Sequence, residues 1–310
     1  MNKTVSRLAF IAALAAAYFA LDRGAALALR KVVDASSFRY SRLYAGEMRA
    51  PVAVFGNSRG VHAFYAPRLS EKLCTPVDNL AFNGLSMAAV EALVADRLDR
   101  GPRPRLIVVE LSAPSQDADS APLLRPYLAK SPRLTKLFEL DRPLAVYSRV
   151  LTHARDFNSE LTFRALYYLR KPTDQNWIIR GRTITPAMKA AMPKTGRLTM
   201  DLGGVRDLDP ETLRALQRID AATQARGVPL ALVLAPYHPA VRIQNEDRIK
   251  AYMEAVRGLH LPGATVVDLS AALSDDHDFA DRVHTNLEGA ERLADQLADQ
   301  LPVSCKSGGV

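Results

Sequence analysis

The chain reads as an α/β protein: a three-layer α/β/α sandwich on a five-stranded parallel sheet, with a mainly helical insertion after the third strand and an N-terminal membrane helix. Three observations predict it. Beyond residue 50, short β-rich runs alternate with helical stretches. Those runs are apolar without alternation, as in strands covered by helices on both faces. An uncharged apolar segment opens the chain.

That segment is the first element. After Lys3 and Arg7, the fourteen residues Leu8 to Leu21 carry no charge and end at Asp22 and Arg23. The run is short of the roughly 20 residues a spanning helix needs. Val5 and Ser6 lengthen it, and a second apolar patch, Gly24 to Leu29, follows the charge pair. The best small-x-small cleavage site, Ala26-Leu27-Ala28, lies beyond two charges, which favours an uncleaved anchor over a removed signal segment. A buried helix of a soluble protein is the plain alternative. Basic residues flank the run on both sides, Lys3 and Arg7 before it and Arg23, Arg30, Lys31 and Arg39 after, so the charge rule leaves orientation open.

Strands are expected at Val52 to Phe55, Val77 to Ala81, Leu106 to Leu111, Leu230 to Ala235 and Thr265 to Leu269. Helices fill the gaps at Ser86 to Leu98, Pro210 to Arg226, Glu246 to Leu259 and Asn286 to Leu301. The second of these opens on Asp209-Pro210, a cap followed by a proline at the first helical position, and stops at Gly227. Ser115 to Val205 breaks the alternation. It holds prolines, a helical stretch at Leu161 to Arg170, the tyrosines Tyr167 and Tyr168 and the single Trp177. A loop that long without structure is improbable, so it reads as a helical insertion that either shapes a site or only packs. The expected boundaries are an anchor or signal segment over 1–30, a linker over 31–49, the α/β domain over 50–301 with its insertion at about 115–205, and a frayed tail over 302–310.

Composition narrows the function classes. Lys+Arg 41 against Asp+Glu 33 gives +8, but the basic residues are scattered singly rather than gathered with aromatics, which argues against nucleic acid as a partner. Cys74 and Cys305 form no metal-spacing motif and leave the redox compartment open; one disulfide is allowed.

The chemistry concentrates at two distant points. Val52-Ala53-Val54-Phe55 runs into Gly56-Asn57-Ser58, where Asn57 or Ser58 can cap the following helix and Ser58 can serve as a nucleophile at the carboxyl rim of the sheet. A serine hydroxyl needs a base within about 3 Å. Asp281-Arg282-Val283-His284 supplies a carboxylate three residues before an imidazole, beside the last strand and helix. Thr285 with Glu288 reads as a capping box that leaves His284 just outside the helix start. Asp281 would orient His284 as a general base, although such a pair also occurs in ordinary surface turns. His238, after the fourth strand, and Arg59 are candidates for substrate contact, against the plainer roles of loop histidine and surface-paired arginine. His62 follows Ser58 within a helical turn, and His153 and His260 carry no signal. His277 among Asp275, Asp276 and Asp278 lacks metal-ligand spacing and reads as a solvated acidic loop, so no metal is expected.

Taken together, these blocks resemble the SGNH/GDSL hydrolase superfamily over about residues 50 to 301, the insertion excepted. Gly56-Asn57-Ser58 is similar to its first block, with Asn in place of Asp; Asn79-Leu80-Ala81-Phe82-Asn83-Gly84 is similar to its second; Asp281 to His284 is similar to its last. The resemblance implies a flavodoxin-like sheet and a Ser58, His284, Asp281 triad. It also implies oxyanion donors at the Ser58 and Gly84 N–H groups, with Asn83 beside the substrate and no cofactor. The third block departs: where the family carries Gly-x-Asn-Asp, this chain reads Glu110-Leu111-Ser112-Ala113-Pro114-Ser115 and lacks the asparagine that completes the oxyanion hole.

Membrane-anchored envelope members look similar in joining an N-terminal segment to a modified third block; they include the D-alanine-transfer protein and proteins paired with membrane-bound O-acyltransferases. The expectation is therefore a single-pass inner-membrane protein with a periplasmic domain. It would act as an esterase or acyltransferase on acyl esters of an envelope polysaccharide, with a membrane-bound O-acyltransferase as a candidate partner. The alternative is a catalytically degenerate binding module of the same fold. A phosphate-binding loop at Gly56 to Gly60 has less support, because it lacks the P-loop lysine.

Overall fold

Val, Ile and Leu runs four or five residues long, each followed by a turn and a helix, have one economical solution: parallel strands side by side with the helices folded back over both faces. The computed structural model describes residues 3–113, 123–139, 150–170, 181–190 and 209–305, and they fall into two units, each with its own core.

The larger unit, Gly46–Ser120 with Gln175–Val310, contains the sheet. In chain order its elements begin after two helices of the other unit, α1 (Lys3–Ala35) and α2 (Arg39–Tyr44). They are β1 (Val52–Phe55), α3 (Ser58–Ala63), α4 (Ala66–Lys72), β2 (Val77–Asn79), α5 (Met87–Asp99) and β3 (Leu106–Glu110). The smaller unit then contributes a 3₁₀ turn (Arg125–Lys130), α6 (Pro132–Glu139), α7 (Thr152–Asp156) and α8 (Ser159–Tyr167). The larger resumes with α9 (Pro186–Ala190), α10 (Pro210–Ala225), β4 (Leu230–Leu234), α11 (Pro239–Gln244), α12 (Glu246–Gly258), β5 (Ala264–Asp268) and α13 (Leu287–Ala298).

The five strands form one parallel sheet in the order β2-β1-β3-β4-β5, with Val52 paired to both Val77 and Leu106, Ile107 to Leu230, and Leu230 to Ala264. The order reverses direction between β1 and β3, and the crevice at the carboxyl ends of that pair is where such sheets take ligands. Val52, Val54, Val108 and Val233 share one core cluster with Leu69 of α4, Leu73 just after it, and Leu293 and Leu297 of α13. Asp209 caps α10 by accepting from Glu211 N, and Pro210 occupies the first turn, as the sequence predicts.

Three expectations change. β5 is not buried throughout: an edge strand paired only with β4, it exposes Thr265 and Asp268. The 31–49 segment is no linker, since α1 continues unbroken to Ala35 and α2 follows, with Tyr40 and Leu43 fully buried. The tail is held as far as Cys305, with Val303 buried and a disulfide joining Cys305 to Cys74 at a Cα–Cα distance of 5.0 Å. Residues 306–310 and Trp177 lie outside the described residues.

The smaller unit, Met1–Ala45 with Ala121–Asp174, joins the N-terminal helix to much of the insertion. Among the described residues the insertion is helical, as expected. The two ends of α1 differ. Its rear half buries Asp22, Ala26, Leu29 and Val33, a stripe at alternating four- and three-residue spacing. Its front half leaves Leu8, Phe10, Ile11, Leu14 and Tyr18 each 59–69% exposed. At the junction the Asp22 carboxylate accepts from the backbone N–H groups of Thr152, His153 and Ala154 at 2.7, 3.0 and 3.2 Å, capping α7. Among the described residues α1 is the one helix long and apolar enough to cross a membrane.

Candidate active site

β1 ends in a turn that only glycine can make here. Gly56 has φ +149, and a Cβ on it would stand 2.7 Å from the Glu110 Cβ, so the turn lies directly against the end of β3. Asn57 then caps α3, its Oδ1 accepting from Arg59 N at 2.9 Å. Of the two capping candidates it is therefore Asn57 that caps, and the Ser58 hydroxyl is left for other work.

Its partner is 226 residues away: Ser58 Oγ lies 2.8 Å from His284 Nε2. The His284 Nδ1 is 3.0 and 3.1 Å from the two carboxylate oxygens of Asp281. A carboxylate only accepts, so Nδ1 carries the proton and Nε2 is left as the acceptor for the serine hydroxyl. Asp281 also accepts from the backbone N–H groups of Val283 at 3.0 Å and His284 at 2.9 Å, a turn geometry that fixes the three-residue spacing. Burial pushes the Asp281 carboxyl up, but the His284 ring and the two backbone N–H groups outweigh it and hold it down at about 2.

The turn carrying His284 is clasped from several sides. Phe279 and Thr285 form an antiparallel bridge, and Ala280 N donates to His284 O at 2.9 Å. Asn286, not Thr285, caps α13 by accepting from Gly289 N at 3.0 Å, so the expected capping box is not formed. Thr285 instead turns its hydroxyl to the carbonyl oxygen of His62. The last described stretch of the insertion reaches this turn as well: Ile184 N donates to Phe279 O at 3.0 Å, and Asn286 Nδ2 donates to Arg182 O at 3.2 Å. The His62 ring stands edge-on to His284, centroids 5.0 Å apart.

On the other flank the chain after β2 continues beside the chain after β1, Leu80 N donating to Val54 O at 2.7 Å and Phe82 N to Gly56 O at 3.1 Å. That register runs the chain leading to Asn83 and Gly84 beside the turn leading to Ser58. Gly84 is exposed and turns with φ +73, and Asn83 is half-buried with its Oδ1 enclosed and unpartnered. Asn79, the first residue of that block, is structural: its Nδ2 donates to the carbonyls of Gly60 and Phe64, and its Oδ1 accepts from Ala81 N.

Two candidates for substrate contact are placed otherwise. His238 is 1% exposed; its Nδ1 accepts from Ala240 N at 3.2 Å, capping α11, and its Nε2 lies 2.9 Å from Asp276 Oδ1. Burial lowers its pKa against the pull of that carboxylate. Both nitrogens are thus committed, and nothing of the ring is left for a ligand. Arg59 is neither surface-paired nor open to a ligand: 5% exposed, its guanidinium donates to the carbonyls of Ala235 and Pro236, lies 3.6 Å from Glu110 Oε1 and stacks 3.3 Å over the Tyr237 ring. Sequence reasoning missed this cluster. The signal was Glu110 at the end of Leu-Ile-Val-Val, since a carboxylate closing a fully buried strand requires a cation nearby.

In the acidic stretch, Asp275 accepts from His277 N, Asp276 meets Lys189 and His238, and Asp278 pairs with Arg292. Among the described residues no group of three His, Cys, Asp or Glu side chains is arranged to hold a metal ion. No protein-family model matches the chain, and no curated protein matches it.

Proposed function

We propose that the protein is a serine-dependent esterase or O-acyltransferase of the SGNH type, acting on acyl esters of a cell-envelope glycan. The observation that carries this reading is the Ser58–His284–Asp281 relay, with its hydroxyl 2.8 Å from the base. In the first half-reaction Ser58 Oγ attacks the ester carbonyl carbon while its proton passes to His284 Nε2; Asp281 holds the imidazolium that forms. The carbonyl oxygen becomes an oxyanion facing the backbone N–H groups of Ser58 and Gly84. Collapse breaks the bond to the leaving alcohol, which takes the proton from His284, and leaves an acyl-Ser58 ester. In the second half-reaction water or a carbohydrate hydroxyl gives its proton to His284 and attacks that ester; the bond to Ser58 Oγ breaks, the serine oxygen takes the proton back from His284, and the acid or transferred acyl product is released.

Two features support an envelope location. The exposed apolar front of α1 suits lipid, and Asp22 and the buried stripe behind it bind α1 into the smaller unit, which argues that the anchor is retained. The Cys74–Cys305 disulfide suits an oxidising compartment outside the cytoplasm. A glycan ester at the outer face of a single-pass anchor, with a membrane-bound O-acyltransferase beside it, fits these surroundings.

The test is labelling of the purified, detergent-solubilised protein with a fluorophosphonate, together with hydrolysis of p-nitrophenyl acetate. Wild type should take up one label per chain, Ser58→Ala none, and both Ser58→Ala and His284→Ala should lose turnover. A folded wild type that neither labels nor hydrolyses the ester would leave the binding module as the better account.

A further inference from the structure

The third strand ends where the family resemblance expects an amide for the oxyanion, and the chain carries there a fully buried glutamate and serine. Their contacts run toward the nucleophile turn and the end of β4. Glu110 Oε2 accepts from Ser112 N at 3.0 Å and from Ser112 Oγ at 2.6 Å, and Ser112 Oγ lies 3.4 Å from the Asn57 Oδ1 that caps α3. Glu110 Oε1 lies 3.6 Å from Arg59 Nε and accepts from Ala235 N at 3.4 Å. Beneath the turn the packing is equally close: a Cβ on Gly56 would come 2.7 Å from the Glu110 Cβ, and one on Gly60 would come 3.4 Å from it. The residue after Ser58 is therefore fastened to this carboxylate through the Arg59 guanidinium, while the single Ser112 hydroxyl proton goes to Glu110 and leaves Ser112 Oγ packed beside Asn57 on the other side of the nucleophile.

A buried ion pair is a poor way to gain stability, since apolar residues of equal volume commonly do as well. What it supplies instead is direction. The Arg59 guanidinium is fixed by Glu110, by two carbonyls after β4 and by the Tyr237 ring, so the ends of β1, β3 and β4 are tied at one point below the serine. We infer that Glu110, with Arg59 and Ser112, is the positioning device of the nucleophile, holding the Ser58 hydroxyl in line with His284 Nε2. The departure of the third block then exchanges an oxyanion donor for a clamp on the attacking group. The inference rests on the serine-nucleophile reading.

Two quantities separate positioning from mere support: the fraction of chains that take up fluorophosphonate at saturation, and the second-order rate constant of uptake. Loss of fold lowers the first; loss of alignment lowers the second. Glu110→Gln should keep full uptake and slow it about 10- to 100-fold, the effect of a small displacement of a reacting group. Ser112→Ala should slow it about 5-fold, the equivalent of one hydrogen bond. Because Glu110→Gln strands the buried guanidinium, the paired change Arg59→Met with Glu110→Leu is measured beside it and should fold yet label as slowly. Wild-type rate constants in the folded variants, or reduced uptake at an unchanged rate constant, overturn the inference. A folded wild type that takes up no label overturns the nucleophile reading and this inference with it, an outcome distinct from uniform labelling of all variants.

Discussion

The hydroxyl of Thr285 donates to the carbonyl oxygen of His62 at 2.5 Å, with both residues buried, and so ties the residue after His284 to the helix that begins at Ser58. Thr285→Val keeps the shape and removes that hydrogen bond. The expected cost is about 0.5–1.5 kcal/mol in stability. Ester turnover should fall about 10-fold, because the base is no longer held to the nucleophile's helix. Thermal melts and p-nitrophenyl acetate kinetics on the same preparation check both.

Asp281 sets a pH window for stability. Its carboxyl is held near 2 against an ordinary 3.8, so the folded state binds its proton less readily than the unfolded chain. The stabilisation is therefore complete above about pH 5 and is lost as pH falls through 2, amounting to about 2 kcal/mol. Asp281→Asn removes it, so denaturant melts of variant and wild type should converge as pH drops toward 2. The same variant lets the imidazole settle in the wrong tautomer, and turnover at neutral pH should fall by about 10³- to 10⁴-fold.

The disulfide from Cys74 to Cys305 closes a loop of sequence separation 231 and pins the segment after α13 beside the turn before β2. Replacing both with Ser should cost about 2–4 kcal/mol. Melting temperatures of the double variant, and of wild type with and without reductant, measure it. Agreement between the reduced wild type and the variant would identify the bond, rather than the thiols, as the source.

The sheet was legible because its strands are nearly continuous apolar runs bounded by turn residues, and β1 falls on the residues the pattern predicts. The Ser58 and His284 segments were legible as separate blocks, because glycine-turn and Asp-x-x-His spacings are local. Their 2.8 Å approach was expected only from the family resemblance, since nothing in either block encodes the other. Arg59 and His238 misled for one reason: a polar residue just after a buried strand faces the rim or the interior according to what its neighbours offer. Here Glu110 and Asp276 drew both away from a ligand's reach. The 31–49 stretch was misjudged because α1's buried stripe becomes visible only once its partners from the insertion are in place.

The serine is synthesised 226 positions ahead of its imidazole, and the Thr285 tie and the sulfur bridge span almost the same interval. On the proposed reading, a chain cut short before His284 carries the alcohol without its base, so the relay comes into being only when nearly all of the larger unit has been made.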